Sequence, residues 1–89
     1  MQEITVKVLN KAGLHARPAK DLAKYGRGIA SKVVFEANGK KADIKSLMGI
    51  MAMGAKQGTE VKVSVDGPDE TDVAKAIAEM FDSGFGEDC

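Results

Sequence analysis

Residues 32–44 read KVVFEANGKKADI, and this stretch decides the fold. Val33, Phe35 and Ala37 recur at every second position, the period of a strand with one apolar face. Asn38-Gly39 follows, the dipeptide that best tolerates the positive φ angles of a two-residue hairpin turn. Ala42 and Ile44 then point the return strand inward. An antiparallel pair is therefore expected, and the flanking sequence extends it. Upstream, Ile4, Val6 and Val8 alternate with Glu3, Thr5 and Lys7, giving a half-buried strand. Asn10 to Gly13 reads as a loop, and Pro18 opens a helix with Ala19, Leu22, Ala23 and Tyr25 on its apolar side. Gly26 and Gly28 end it.

Downstream, Ser46 is placed to cap a short helix from Leu47 to Met53, ended by Gly54. Val61, Val63 and Val65 make a fourth alternating strand, and Gly67-Pro68 turns the chain. Asp69 is placed to cap a last helix with Val73, Ala74, Ile77, Met80 and Phe81 inward. Gly84 suits its C-terminal turn, with Phe85 folding back on Met80. The order is β-α-β-β-α-β-α. Each strand has one apolar and one polar face. An α+β fold follows, with helices on one side of a single antiparallel sheet and water on the other.

The bulk composition narrows the function. The chain has 89 residues, enough for one domain over 1–89 and one core. Its apolar fraction is 44%, with three Phe, one Tyr and no Trp, so aliphatic side chains must build that core. Thirteen basic and thirteen acidic residues cancel. Bulk attraction to nucleic acid is thus absent, and so is an aromatic stacking platform. No apolar run is long enough to insert in a membrane. The single cysteine, Cys89, allows no disulfide framework. With a strand and not a signal peptide at the N-terminus, the expected compartment is the cytoplasm.

Chemistry concentrates in GLHARPA, residues 13–19, which holds the only histidine. His15 falls where a loop becomes a helix. A helix N-terminus presents unpaired N–H groups and partial positive charge, and so attracts phosphate. An imidazole nitrogen placed there can attack a phosphoryl group. Arg17 adds a planar cation for phosphate oxygens. Small Ala16 and Ala19 leave a partner room to approach, and Gly13 permits a close loop. The bland alternative is that His15 only caps the helix and Arg17 is a solvated charge. The residues alone leave both open. No metal is expected, since no second His, Cys or carboxylate cluster stands nearby. No cofactor is expected either. An acid–base partner for hydrolysis is missing too, but phosphoryl transfer needs mainly positioning and charge stabilisation. A self-contained enzyme is the least favoured class, because nothing in the sequence binds a second substrate.

The second segment is KSLMGIM, residues 45–51. GLHARPA and KSLMGIM at this separation, in a chain of this size, resemble HPr. That family comprises the histidine-containing phosphocarriers of the bacterial phosphoenolpyruvate:sugar phosphotransferase system. The resemblance implies an open-faced β-sandwich with sheet order 1-4-2-3 and three helices on one face. It implies that His15 accepts phosphate at Nδ1 from enzyme I and donates it to sugar-specific IIA proteins, with Arg17 contacting the phosphoryl group. KSLMGIM is similar to the branch in which the matching Ser46 is phosphorylated by HPr kinase/phosphorylase. A phosphate on Ser46 would also sit well at a helix N-terminus.

Leu47, Met48 and Met51 cannot share a helical face fully with Ile50 and Met53, so one set should be exposed. HPr proteins dock enzyme I and IIA through this region, which favours exposure of Leu47, Met48 and Met51. Arg17, Lys20, Lys24 and Arg27 line one face of the first helix. They are a solvated face or a steering surface for an acidic partner. Lys20 departs from the small residue usual in HPr, and Gly26-Arg27-Gly28 is expected to shorten or loosen the helix end. The expected protein is a monomer. The competing readings are a regulatory-only relative acting through Ser46 and a nucleic-acid-binding module.

Overall fold

The computed structural model describes residues 1–9 and 13–84. Seven elements follow one another: β1 (Gln2–Lys7), α1 (Ala16–Gly26), β2 (Lys32–Ala37), β3 (Lys40–Asp43), α2 (Leu47–Ala52), β4 (Glu60–Asp66) and α3 (Glu70–Asp82). The sheet order is β1-β4-β2-β3, and every pair is antiparallel. Ile4, Val63, Phe35 and Ala42 lie opposite one another across the four strands. That register turns the alternating apolar positions to one face, and the helices cover it.

Val33, Phe35, Val61, Val63 and Val65 are fully buried. Leu22 of α1, Ile50 of α2, and Ile77 and Phe81 of α3 meet them in one cluster. The Phe35 and Phe81 rings pack tilted, with centroids 6.2 Å apart. Burying a side chain of this size stabilises by about 1.5–3 kcal/mol, so the aliphatic core accounts for the fold without tryptophan. Asn38 has φ 54° and Gly39 φ 76°, the left-handed pair that the Asn-Gly turn requires.

Two local expectations need correction, and a third gains a packing reason. α1 begins at Ala16, with Pro18 as its third residue. Proline is tolerated there because first-turn N–H groups lack intrahelical partners. Asp69 stands before α3 but its side chain makes no capping bond. Its carboxylate instead accepts from the Ala30 N–H at 2.9 Å and from the Ser31 hydroxyl, clasping the α1–β2 loop. Gly26 is the last residue of α1, as expected, and it also has a packing role. It is buried, and a Cβ there would lie 2.7 Å from Ile44 Cγ2. Glycine lets the last turn of α1 sit directly on the end of the hairpin. The proposed Phe85–Met80 contact and Cys89 lie outside the described residues, as do Asn10 to Ala12.

Candidate phosphoryl site at the start of the first helix

The backbone before His15 is fixed by its neighbours. Gly13 has φ 71°, and a Cβ on it would fall 2.3 Å from the Ala55 carbonyl oxygen. That approach allows the Leu14 N–H to donate to Ala55 O at 2.9 Å while the Leu14 side chain enters the core. The His15 N–H donates to Gly13 O at 3.0 Å, and His15 O accepts from the Ala19 N–H at 3.1 Å. His15 is thereby the N-cap of an eleven-residue helix, half-buried, with Ala16 and Arg17 exposed beside it.

The ring takes part in the cap. His15 Nδ1 accepts from the Arg17 N–H at 3.4 Å. An acceptor nitrogen must carry its lone pair in the ring plane, so in a neutral ring making this contact the proton sits on Nε2. Pro18 has no N–H. The donors this end of α1 can turn toward an anion are therefore the amides of Ala16 and Arg17. The Nδ1 lone pair and two backbone donors share one corner, with Arg17 exposed two residues beyond His15. The capping and nucleophile readings of His15 are thus compatible.

α1 packs against α2, which brings the second motif alongside. Ser46 caps α2: its Oγ accepts from the Gly49 N–H at 3.1 Å, and its carbonyl accepts from the Ile50 N–H at 3.0 Å. Ser46 is exposed. Ile50 and Met53 are buried, whereas Leu47, Met48 and Met51 are 37%, 78% and 41% exposed. The apolar division of α2 therefore follows the expectation. The Asn38 side-chain amide donates to Met53 O at 3.1 Å and Lys40 Nζ to Ala52 O at 3.2 Å, holding the other end of α2 to the hairpin.

Lys20, Lys24 and Arg27 are exposed along α1, as their spacing suggested. With Ala23, Lys45 and Leu47 they line a groove of about 280 Å³ between α1 and α2. Lys45 was legible only as part of the Ser46 motif. Its place beside the α1 cations depends on a contact between elements, which spacing within one element does not reveal. Among the described residues there is no cluster of three or more metal-ligating side chains, and no helix is long and apolar enough to cross a membrane.

Comparison with known proteins agrees with this geometry. Residues 2–83 match the family model described as "PTS HPr component phosphorylation site". The phosphocarrier protein HPr of Treponema pallidum (strain Nichols) is 40% identical over 84 residues, covering 94% of this chain and 96% of that protein. HPr of Xylella fastidiosa (strain Temecula1) is 38% identical over 88 residues, with 99% of each chain covered. The crystal structure of HPr-C-His from Thermoanaerobacter tengcongensis superposes with a TM-score of 0.93 at 42% identity, over the whole of both chains. Fold and relatives together define a phosphocarrier and not a catalyst. The chain belongs to the HPr family of the phosphotransferase system.

Proposed function

We propose that His15 is the residue that carries the phosphoryl group, taking it from phosphorylated enzyme I and passing it to IIA proteins of sugar uptake. The observation that carries this reading is the Nδ1 lone pair of His15 held at the N-terminus of α1. In the forward step Nδ1 attacks phosphorus as the bond to the donor breaks, and Nε2 keeps its proton. The phosphoryl oxygens then face the Ala16 and Arg17 amides and the Arg17 guanidinium, which offset their charge. Transfer to IIA reverses the same step. No acid–base partner is required, because loose phosphoryl transfer depends on positioning and charge.

Docking of both partners falls to Ala16, Lys20, Lys24, Arg27, Leu47, Met48 and Met51. The exposed methionines supply a pliable apolar contact, and the cations steer acidic surfaces. Ser46 is the regulatory position, phosphorylated by HPr kinase/phosphorylase. A phosphate there places a dianion beside Leu47 and Met48. The protein acts as a monomer in the cytoplasm.

Incubation with phosphoenolpyruvate and an enzyme I tests the central step. An acid-labile, base-stable phosphate is expected at His15. A phosphate at any other residue, or none, rules the reading out.

A further inference from the structure

We propose that the groove between α1 and α2 binds a small polyphosphorylated anion. Lys20, Lys24, Arg27 and Lys45 line it, with Ala23 and Leu47 as the apolar part of its wall. Four of the six lining residues are therefore cations, drawn from two separate segments. The chain as a whole has no net charge, so this concentration is local and is not the overflow of a basic protein.

The cations are also unspent. Among the described residues none of the four is in an ion pair; the one ion pair there joins the Met1 ammonium to Glu70. Asp43, the carboxylate nearest Lys45 in sequence, accepts from the Lys45 backbone N–H at 2.9 Å and does not line the groove. Asp21 of α1 does not line it either. Like charges gathered without counter-charge repel one another, and an anion relieves that repulsion.

The fold maintains the gathering. Gly26 seats α1 on Ile44, so the segment carrying Lys24 and Arg27 is held against the one carrying Lys45. A larger residue at position 26 would push those two segments apart.

Size and chemistry select the ligand. Pockets for small molecules start at about 300 Å³, so this groove takes a compact ligand and not a nucleotide. Arg27 offers a planar fork and the lysines offer compact point charges, the combination that suits two phosphate groups on a short skeleton. Ala23 and Leu47 give that skeleton an apolar surface. The class is a short-chain sugar or acid bearing two phosphates, with inorganic pyrophosphate as its simplest representative. The inference does not depend on phosphoryl transfer by His15. It would, however, mask cations assigned above to partner docking.

The test is an amide chemical-shift titration of the intact protein with pyrophosphate, and in parallel with orthophosphate. Saturable shifts are expected at Lys20, Lys24, Arg27 and Lys45, with pyrophosphate bound about tenfold or more tightly than orthophosphate. Lys24→Gln combined with Lys45→Gln should weaken pyrophosphate by about tenfold, and Lys24→Arg with Lys45→Arg should restore it. Lys56→Gln, outside the groove, should change nothing. Lys24, Lys45 and Lys56 are all exposed, so these variants keep the fold. Shifts centred on Ala16 and Arg17 would assign the anion to the His15 corner and overturn the proposal. So would non-saturating shifts at every lysine. Groove resonances that move with enzyme I but not with pyrophosphate would make the groove a protein-docking surface only.

Discussion

The Arg17 amide points at His15 Nδ1 across 3.4 Å, two residues apart at the first turn of α1. One nitrogen thus serves as helix cap and as candidate nucleophile. A phosphoryl group on Nδ1 takes over that amide, so the cap is replaced and not lost. His15→Ala should therefore keep the fold at a cost of about 1 kcal/mol for the missing cap. It should accept no phosphate from enzyme I. Retained phosphorylation of the alanine variant would remove His15 from the mechanism.

Arg17→Glu reverses the charge beside the phosphoryl oxygens while leaving the Arg17 backbone donor in place. The fold should be intact, since residue 17 is exposed. Transfer to and from His15 should slow by about a hundredfold, the low end of the effect of removing one preorganised transition-state donor. Stopped-time phosphorylation in both directions measures this. Equal rates in both would reduce Arg17 to a surface charge.

Ser46→Asp keeps an N-cap acceptor for the Gly49 N–H and adds a charge favoured by the helix dipole, typically by ~0.3–1 kcal/mol. The melting temperature should hold or rise slightly. Affinity for enzyme I should fall by about tenfold, because that charge stands beside exposed Leu47 and Met48. Calorimetric titration decides it. Unchanged affinity would put Ser46 outside the interface.

Gly26→Ala tests the seat of α1 on Ile44. The new methyl gains helix propensity of about 1 kcal/mol but must displace a fully buried, β-branched side chain. Overpacking of this kind costs about 1–3 kcal/mol, so net destabilisation of up to about 2 kcal/mol is expected in urea unfolding. The double variant with Ile44→Val should recover part of it. A more stable single variant would show that the contact is slack.

The Asp69 clasp makes stability depend on pH. The Ser31 hydroxyl, and then the Ala30 N–H, hold the Asp69 carboxyl below its ordinary value. A group depressed in the folded state stabilises above its unfolded pKa, and that contribution fades as the pH falls through the folded value. Glu70 is lowered in the same way, chiefly by the N-terminal ammonium. Acid unfolding should thus steepen below about pH 4, where free carboxyls protonate. Ser31→Ala should flatten it. An identical acid limb in that variant would show that the clasp contributes nothing.

The sequence carried most of the fold because period-2 runs such as Val61-Val63-Val65 need no tertiary knowledge. Which strands are neighbours is different. Alternation tells a strand which face is apolar but not who pairs with it, and the order 1-4-2-3 came from family resemblance. His15 stood out because its chemistry and its position at a helix start coincide within five residues. The Asp69–Ser31 clasp, the Gly26–Ile44 seat and the arrival of Lys45 beside Lys24 did not stand out. Each joins segments far apart in the chain, and none has a local pattern. Asp before a helix reads as a cap by propensity, and here a tertiary partner outcompetes that role.

Asn38 and Lys40 hold the last carbonyls of α2 while Ser46 holds its first amides. A six-residue helix is far too short to persist in water on its own. Capped at its start and tied to the hairpin at its end, α2 is expected to open together with the hairpin, the two exchanging their amide protons with solvent as one unit. Met48 and Met51 are therefore exposed side chains on a backbone held by hydrogen bonds. A partner that settles on them has only rotamer freedom to freeze and no backbone to order, which keeps the entropic cost of association small.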